Sequence, residues 1–597
     1  MARRTAFSSP AAAFLIASLL LPSSGAIAQA PQEEPTFFES VDVSVVNVEV
    51  FVTDRSDKRV QGLTQNDFEV FEDGKRIEIS YFYAQDEPAS GEPQVNVVEA
   101  PVEDVPQDQQ LHLAIFVDNQ NLSPANRNRV LPSVKSFLTT QLRQQDRVLL
   151  ATYNGPGQVQ VRQAPTRDPQ TLVQAIDDIA KSSAGLGNKS DLRMLVGELQ
   201  QSANPDSEDP RERDIAAMDA EASYSSIEMY AQQAYNQAKS TVAALEQFVN
   251  GLAGLPGRKA VLFISGGLSL RPSQAIYDAW EQKFGRVNRE EGIANRLSTL
   301  DNDVTQDFEK LADRANANRV TFYSLGVSDV LSAGAASSRS ATIWTANQEQ
   351  AEKNTTSQSM ALLSGPTGGI ALFDATDPAM LLTRMREDMD SFYSLGYVPA
   401  HRRTGKNHKI EVKVKQRPDL RVRYRESFRD RTTQELMTDQ TMSALLFGSD
   451  ENPLEVALEF QDVVGEKVKK DERLVQLTVK LPMSKLVLLP QEQVHEGNVS
   501  VFLAVRDSQG RNSDITQVKI PVRIPNDRLM ASLGQAAGYR TRLVMRPGEH
   551  TVAVGVRDEL ANVSSLVTQS YTPGQGTPIA GAASDAPADP PKKGTGL

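Results

Sequence analysis

Few residues in this chain are placed to do chemistry. No cysteine occurs, which excludes thiol catalysis and cysteine metal sites. The five histidines, His112, His401, His408, His495 and His550, are scattered along the chain, and each reads as a solvent-facing or satisfied strand histidine. His495-Glu496 runs on into Gly-Asn-Val, so the paired-histidine zinc helix is missing. No G-x-S-x-G elbow, Walker A loop or post-strand dinucleotide fingerprint is found. Ser265 follows the apolar run Ala260 to Ile264 and precedes Gly266-Gly267. It has no base nearby in sequence, and turn geometry explains the glycines equally well. Asp118 is the stronger candidate. It closes the apolar run from His112 to Val117, and a polar turn, Asn119-Gln120-Asn121, leads into helix-forming sequence. In an open α/β sheet, the carboxyl end of such a strand is where ligands bind.

The elements that must position Asp118 alternate strand and helix over residues 109–428, the mark of a doubly wound, mostly parallel sheet. The expected strands are 111–117, 147–153, 260–264 and 320–327. Val130, Val134, Phe137, Leu138 and Leu142 fall on one helical face, with Pro132 either kinking that helix or starting it. Asp377-Pro378 is a helix start. Residues 393–399 and 409–414 read as closing strands. The stretch 198–238 departs from a compact domain, with an acidic, Pro-interrupted loop and then a long polar helix from Ala222 to Lys239. Such a helix often crosses solvent or meets a partner.

On the amino-terminal side, 36–88 reads as a small β domain with alternating valines, a phase slip at Val46 that suggests a bulge, and a hairpin signal at Asp73-Gly74. A Pro- and Glu-rich linker covers 89–108. On the carboxyl side, 452–572 alternates in short strands and suggests an immunoglobulin-like β-sandwich. The Gly-, Ala- and Pro-rich tail, 573–597, is expected to be disordered.

Composition narrows the setting. Across 597 residues the formal net charge is −13 and no strongly basic block occurs, so nucleic acid is excluded as a partner class. Arg3 and Arg4, the apolar run Ala11 to Leu21 and Ala26-Ile27-Ala28 make a secretory signal peptide, 1–28, cleaved after Ala28. No later stretch approaches ~18 continuous apolar residues. The expectation is a periplasmic or secreted protein with no transmembrane segment after cleavage.

Three segments carry a resemblance: Gly62-Leu63-Thr64-Gln65-Asn66-Asp67-Phe68-Glu69-Val70-Phe71-Glu72-Asp73-Gly74, the strand ending at Asp118, and Thr367-Gly368-Gly369 followed by a helix and Phe392-Tyr393-Ser394-Leu395-Gly396-Tyr397-Val398-Pro399. Together they resemble exported bacterial proteins of the vWFA-related acidobacterial family, over about residues 38–428. The resemblance implies a central von Willebrand factor type A (vWA) domain between β-rich domains. It also implies a metal-ion-dependent adhesion site, where a hard cation takes oxygen ligands. Asp118 matches the first ligand of the family's D-x-S-x-S turn. Gln120 and Leu122 stand where the serines would be, with Ser123 one residue on. Ser190 stands for the second-loop threonine. Ser265-Gly266-Gly267 replaces the third-loop T-D-G, so a carboxylate is missing there, and Asp191 or Asp329 compensates only if the fold brings it close. The implied ligand set is therefore degenerate: Asp118, Gln120, Ser123 and Ser190, with Mg²⁺ or Ca²⁺ as the candidate ion. The other reading is that Asp118 caps the following turn and holds no ion.

The functional expectation is a non-enzymatic protein-binding module whose vWA-like domain meets an unidentified protein partner through Asn121, Ser265 and the loops around Asp118. The alternative is a structural or assembly component of a cell-envelope complex, acting without metal through sheet edges and the 198–238 insertion.

Overall fold

A computed structural model describes residues 45–86, 111–143, 146–155, 159–182, 189–291, 302–327, 346–373, 377–401, 403–449, 451–464, 472–575 and 577–580. The expected leader, the linker at 89–108, Asp329 and most of the tail lie outside the described residues. The chain falls into two compact units, divided between Asp439 and Gln440.

In the first unit the chain opens with β1 (Val46–Thr53), β2 (Phe68–Glu72), β3 (Lys75–Ile77) and β4 (Tyr81–Asp86). It then enters the α/β part with β5 (Leu111–Asp118), α1 (Pro124–Thr140), β6 (Arg147–Tyr153), β7 (Gln160–Thr166) and α2 (Pro169–Lys181). A helical insertion follows: α3 (Lys189–Gln201), α4 (Pro210–Leu252) and, after β8 (Arg258–Ser265), α5 (Gln274–Glu291). The α/β part ends with α6 (Thr305–Ala317), β9 (Val320–Gly326), α7 (Ala346–Ser364), β10 (Ala371–Phe373) and α8 (Ala379–Asp390).

Strands β5 to β10 form one six-stranded sheet in the order β10-β9-β8-β5-β6-β7. All its pairings are parallel except that of edge strand β7, which runs antiparallel to β6 with register shifts. Counted from its own first strand the order is 3-2-1-4-5-6, the doubly wound arrangement whose switch point lies at the carboxyl end of the first strand. Here that strand is β5, and Asp118 is its last residue. Burial on both faces explains its unbroken apolar run. Leu113, Ile115 and Val117 pack with Val130, Val134, Leu172, Ile176, Leu381 and Met385 of α1, α2 and α8. The ring of Phe116, which points the other way, meets Phe248 of α4 at 5.0 Å. Pro132 sits inside α1, which begins eight residues before it, after an N-cap at Ser123.

The expectation of a β domain at 36–88 is enlarged by the strand pairings. β1 pairs with β11 (Ser391–Tyr397) and β13 (Arg421–Arg423), and β4 pairs with β11. β2 pairs with β12 (Asn407–Val414), which also pairs with β14 (Ser427–Arg429). The two four-stranded sheets share one core, in which Val48, Val50 and Val70 meet Leu395, Tyr397, Ile410 and Val412. The strands read as closing the parallel sheet thus complete sheets begun more than 300 residues earlier. Alternation identifies a half-buried strand but not its partner. The register of β1 on β11 is regular from Val46 to Val50, and residues 41–44, which lead up to the phase slip, lie outside the described ones.

Helix α9 (Thr433–Phe447) contains the division between the units. The second unit has two sheets. One has the order β20-β16-β15-β23, from Ala536–Met545, Arg473–Pro482, Ala457–Val464 and Thr577–Ala580. The other runs β17-β18-β21-β22, from Leu489–Pro490, Val494–Arg506, His550–Asp558 and Val563–Tyr571, with β19 (Thr516–Pro525) also on β18. Val475, Leu477 and Val479 of the first sheet and Val501, Val552 and Val554 of the second line one core. The tail expected to be disordered supplies β23, parallel to β15. An open sheet edge recruits any extended segment within reach.

Candidate functional site

Asp118 ends the central strand with no solvent exposure. Its Oδ2 accepts from the Ser265 hydroxyl at 2.7 Å and from the Asn121 side-chain amide at 2.8 Å, and its Oδ1 accepts from the Asn121 backbone N–H at 3.2 Å. Ser265 arrives at the end of the neighbouring strand β8, and its oxygen also accepts from Gly267 N–H at 3.1 Å. Gly266 is required by close approach, because a Cβ there would stand 1.9 Å from the Asn121 carbonyl oxygen. Burial raises the Asp118 carboxyl to about 6, although the hydrogen bonds from Ser265 and Asn121 pull the other way.

The network continues into the insertion. The Asn121 amide also donates to the Thr241 hydroxyl at 3.1 Å, and its oxygen accepts from Gln237 at 2.8 Å. The Tyr153 hydroxyl, at the end of β6, lies 2.6 Å from Ser240 Oγ. Gln237, Ser240 and Thr241 all belong to α4, so this helix is tied to the carboxyl edge of the sheet. A second network lies beside it. Arg127, 1% exposed, donates to the carbonyls of Ala180 and Ser182 at 2.7 and 2.9 Å and to Asn119 Oδ1 at 3.3 Å. Asn119 donates in turn to Asn154 at 2.9 Å.

The structure therefore brings Asp118, Asn121 and Ser265 together and directs Gln120 and Ser123 elsewhere. The Ser123 hydroxyl accepts from Asn126 N–H at 3.4 Å as the cap of α1. The Gln120 side chain lies against Gly155, where a Cβ would meet its Oε1 at 2.4 Å. Leu122 is in the apolar core. Ser190 is the second residue of α3, with its side chain outside what is described. This donor set does not fit a hard cation. The groups turned toward the carboxylate are an amide NH₂, a backbone N–H and a hydroxyl hydrogen, which supply the positive ends a metal would supply, and among the described residues no second carboxylate is hydrogen-bonded into this set. The Asp118–Ser265 pair also has the look of a base and a nucleophile. Both residues have 0% exposure, so no substrate atom reaches the hydroxyl without rearrangement.

Sequence reasoning missed Gln237 and Thr241, which lie more than 100 residues from Asn121 in a polar helix with no motif. It also read every histidine as solvated or satisfied, whereas His112 is buried with neither ring nitrogen hydrogen-bonded.

No protein-family model and no curated protein matches the chain. Solved structures with weak likeness include an aerotolerance-related membrane protein from Bacteroides fragilis, at 8% identity over 47% of this chain and 98% of that one, TM-score 0.22. The conserved hypothetical protein BatB from Bacteroides thetaiotaomicron is 9% identical over 47% and 97%, TM-score 0.20. The manganese-loaded TRAP protein of Plasmodium vivax is 8% identical over 54% and 95%, TM-score 0.22. Likeness at this level carries no argument about function. Among the described residues, no helix is long and apolar enough to cross a membrane.

Proposed function

We propose that the chain is a non-enzymatic protein-interaction module. A vWA-like α/β part presents the carboxyl edge of its sheet, with α4 tied into it, to a protein partner, and it does so without a bridging cation at Asp118. The chain acts after export to the periplasm or beyond, and its second unit is an immunoglobulin-like spacer. The observation that carries this reading is the switch point itself. The strand order puts Asp118 where open α/β sheets bind ligands, while its carboxylate is already satisfied by Ser265 and Asn121. What is left for a partner is the rim above it, including the exposed Asn154.

A second reading has support of its own. Ile215, Met218 and Met229 of α4 are 53%, 72% and 74% exposed, and their spacing gathers them on one side of the helix. In that reading the insertion docks the chain into an envelope assembly. A photo-crosslinking residue at Asn154, and separately at Met218 and Met229, tests both in the native host. Partner adducts at Asn154 support the rim, and adducts only at Met218 and Met229 support the insertion. Absence of adducts at all three would sink both.

A further inference from the structure

Glu72, His401 and His408 come from three separate pieces of the first unit: the end of β2, the connection after β11, and β12. One ligand-type atom from each lies within 4.8 Å of the other two. Their surroundings fix how the nitrogens face. His408 Nδ1 is 2.8 Å from Asp73 Oδ2, so that nitrogen carries the proton and Nε2 offers a lone pair. This Nε2 is buried with no hydrogen-bond partner. His401 Nδ1 faces Asp430 Oδ2 at 3.4 Å, and its Nε2 faces Glu72 Oε1 at 2.8 Å. Glu72 is 6% exposed, and its Oε2 is also buried without a partner.

With Nδ1–H given to Asp430, the His401 Nε2 lone pair and the Glu72 carboxylate confront each other as two acceptors. A proton on His401 would satisfy that pair, and the Tyr397 hydroxyl interacts with Glu72, but His408 Nε2 would stay unmatched. A metal ion serves all three groups. Asp73 and Asp430 behind the two rings match the carboxylate–histidine support that orients metal-ligating imidazoles. Two carboxylates, Asp73 and Asp430, thus back the cluster and Glu72 supplies a third within it, while Arg425 acts on Tyr397 beside Glu72. We propose that Glu72, His401 and His408 bind one divalent transition-metal ion of the zinc class. Two imidazoles and one carboxylate suit Zn²⁺ and its neighbours rather than Mg²⁺ or Ca²⁺. The rings now stack at 3.7 Å and 14°. Lone pairs of parallel rings do not meet at one point, so binding turns one ring out of the stack.

The test is titration of the EDTA-stripped full chain with Zn²⁺ by calorimetry and with Co²⁺ by visible absorption. The expected result is one ion per chain, with cobalt d–d bands. His408→Gln is expected to abolish binding, and His495→Gln, in the other unit, to leave it unchanged. Asp73→Asn, which removes only the support behind His408, is expected to weaken it about 10–100-fold. No saturable binding by the native chain would overturn the proposal and leave a proton-bridged cluster. Binding that survives the double change His401→Gln and His408→Gln would overturn it too. If the histidine variants do not fold, an unchanged affinity in Asp73→Asn has the same force.

Discussion

Asp118 and His112 sit at opposite ends of β5, and burial works on them in opposite directions. The folded Asp118 carboxyl holds its proton up to about pH 6, whereas in the unfolded chain it releases it near 3.9. Between these values the native state binds more protons, so this group's contribution to stability falls as pH rises from about 4 to about 6. Urea unfolding at pH 4 and pH 7 is expected to show the native chain losing roughly 2–3 kcal/mol relative to Asp118→Asn over that interval. No relative change would mean the carboxyl is hydrated. His112 is pushed down to about 4, first by burial and then by Lys259, Arg147 and Arg167. It stays neutral when folded and charges on unfolding, so its contribution is lost as pH falls from about 6.5 to about 4. His112→Leu is expected to remove that acid-side loss, roughly 3 kcal/mol, measured by the same unfolding series. Asp118 was legible as a candidate because an aspartate ending an apolar run is a local pattern. The partnerless state of His112 was not, because it depends on what packs across the strand.

Helix α4 shows how an element can be misread from its composition. Its sequence over the first half is mostly small and polar, and three of its large apolar residues, Ile215, Met218 and Met229, are exposed, yet Ala216, Ala220, Ser223, Ile227, Ala231, Ala234, Ala238, Thr241, Leu245, Phe248 and Leu252 are all buried. They recur at steps of three and four, the spacing of a buried helix face. In the insertion, Ala216, Ala220, Tyr224 and Ile227 pack against Ile276, Trp280 and Phe284 of α5 in a core of their own. The signal was the period, not the hydrophobicity, and small residues hide it. Close packing makes that face intolerant of added volume. Ala231→Leu is expected to cost about 1–3 kcal/mol, and the exposed Met229→Leu less than about 0.5 kcal/mol, in thermal or chemical unfolding. Equal effects would mean the face is loose. Gly266→Ala is expected to destabilise more than either, since the group its Cβ would meet is backbone.

At the scale of the whole molecule, local periodicity was enough to find the α/β part with its strands β5, β6, β8 and β9, and the β-rich carboxyl-terminal unit, but not β7, β10, α5 or α7. It could not show that the strands of 46–86 and 391–429 belong to the same two sheets, because pairing over such a separation leaves no local trace. The consequence is testable: a fragment of residues 109–439 is expected not to melt cooperatively by circular dichroism, and residues 39–439 are expected to do so. A cooperative melt of the shorter piece would mean β11 and β12 do not need β1 and β2. Recognition at the sheet's carboxyl edge is expected to proceed without a cation on Asp118. The most direct measurement is calorimetric titration of the EDTA-stripped chain with Mg²⁺ and Ca²⁺, native against Asp118→Ala. No heat that depends on Asp118 is expected, because Ser265 and Asn121 already occupy its carboxylate. Saturable binding by the native chain that disappears in the variant would contradict this and restore the metal-dependent site.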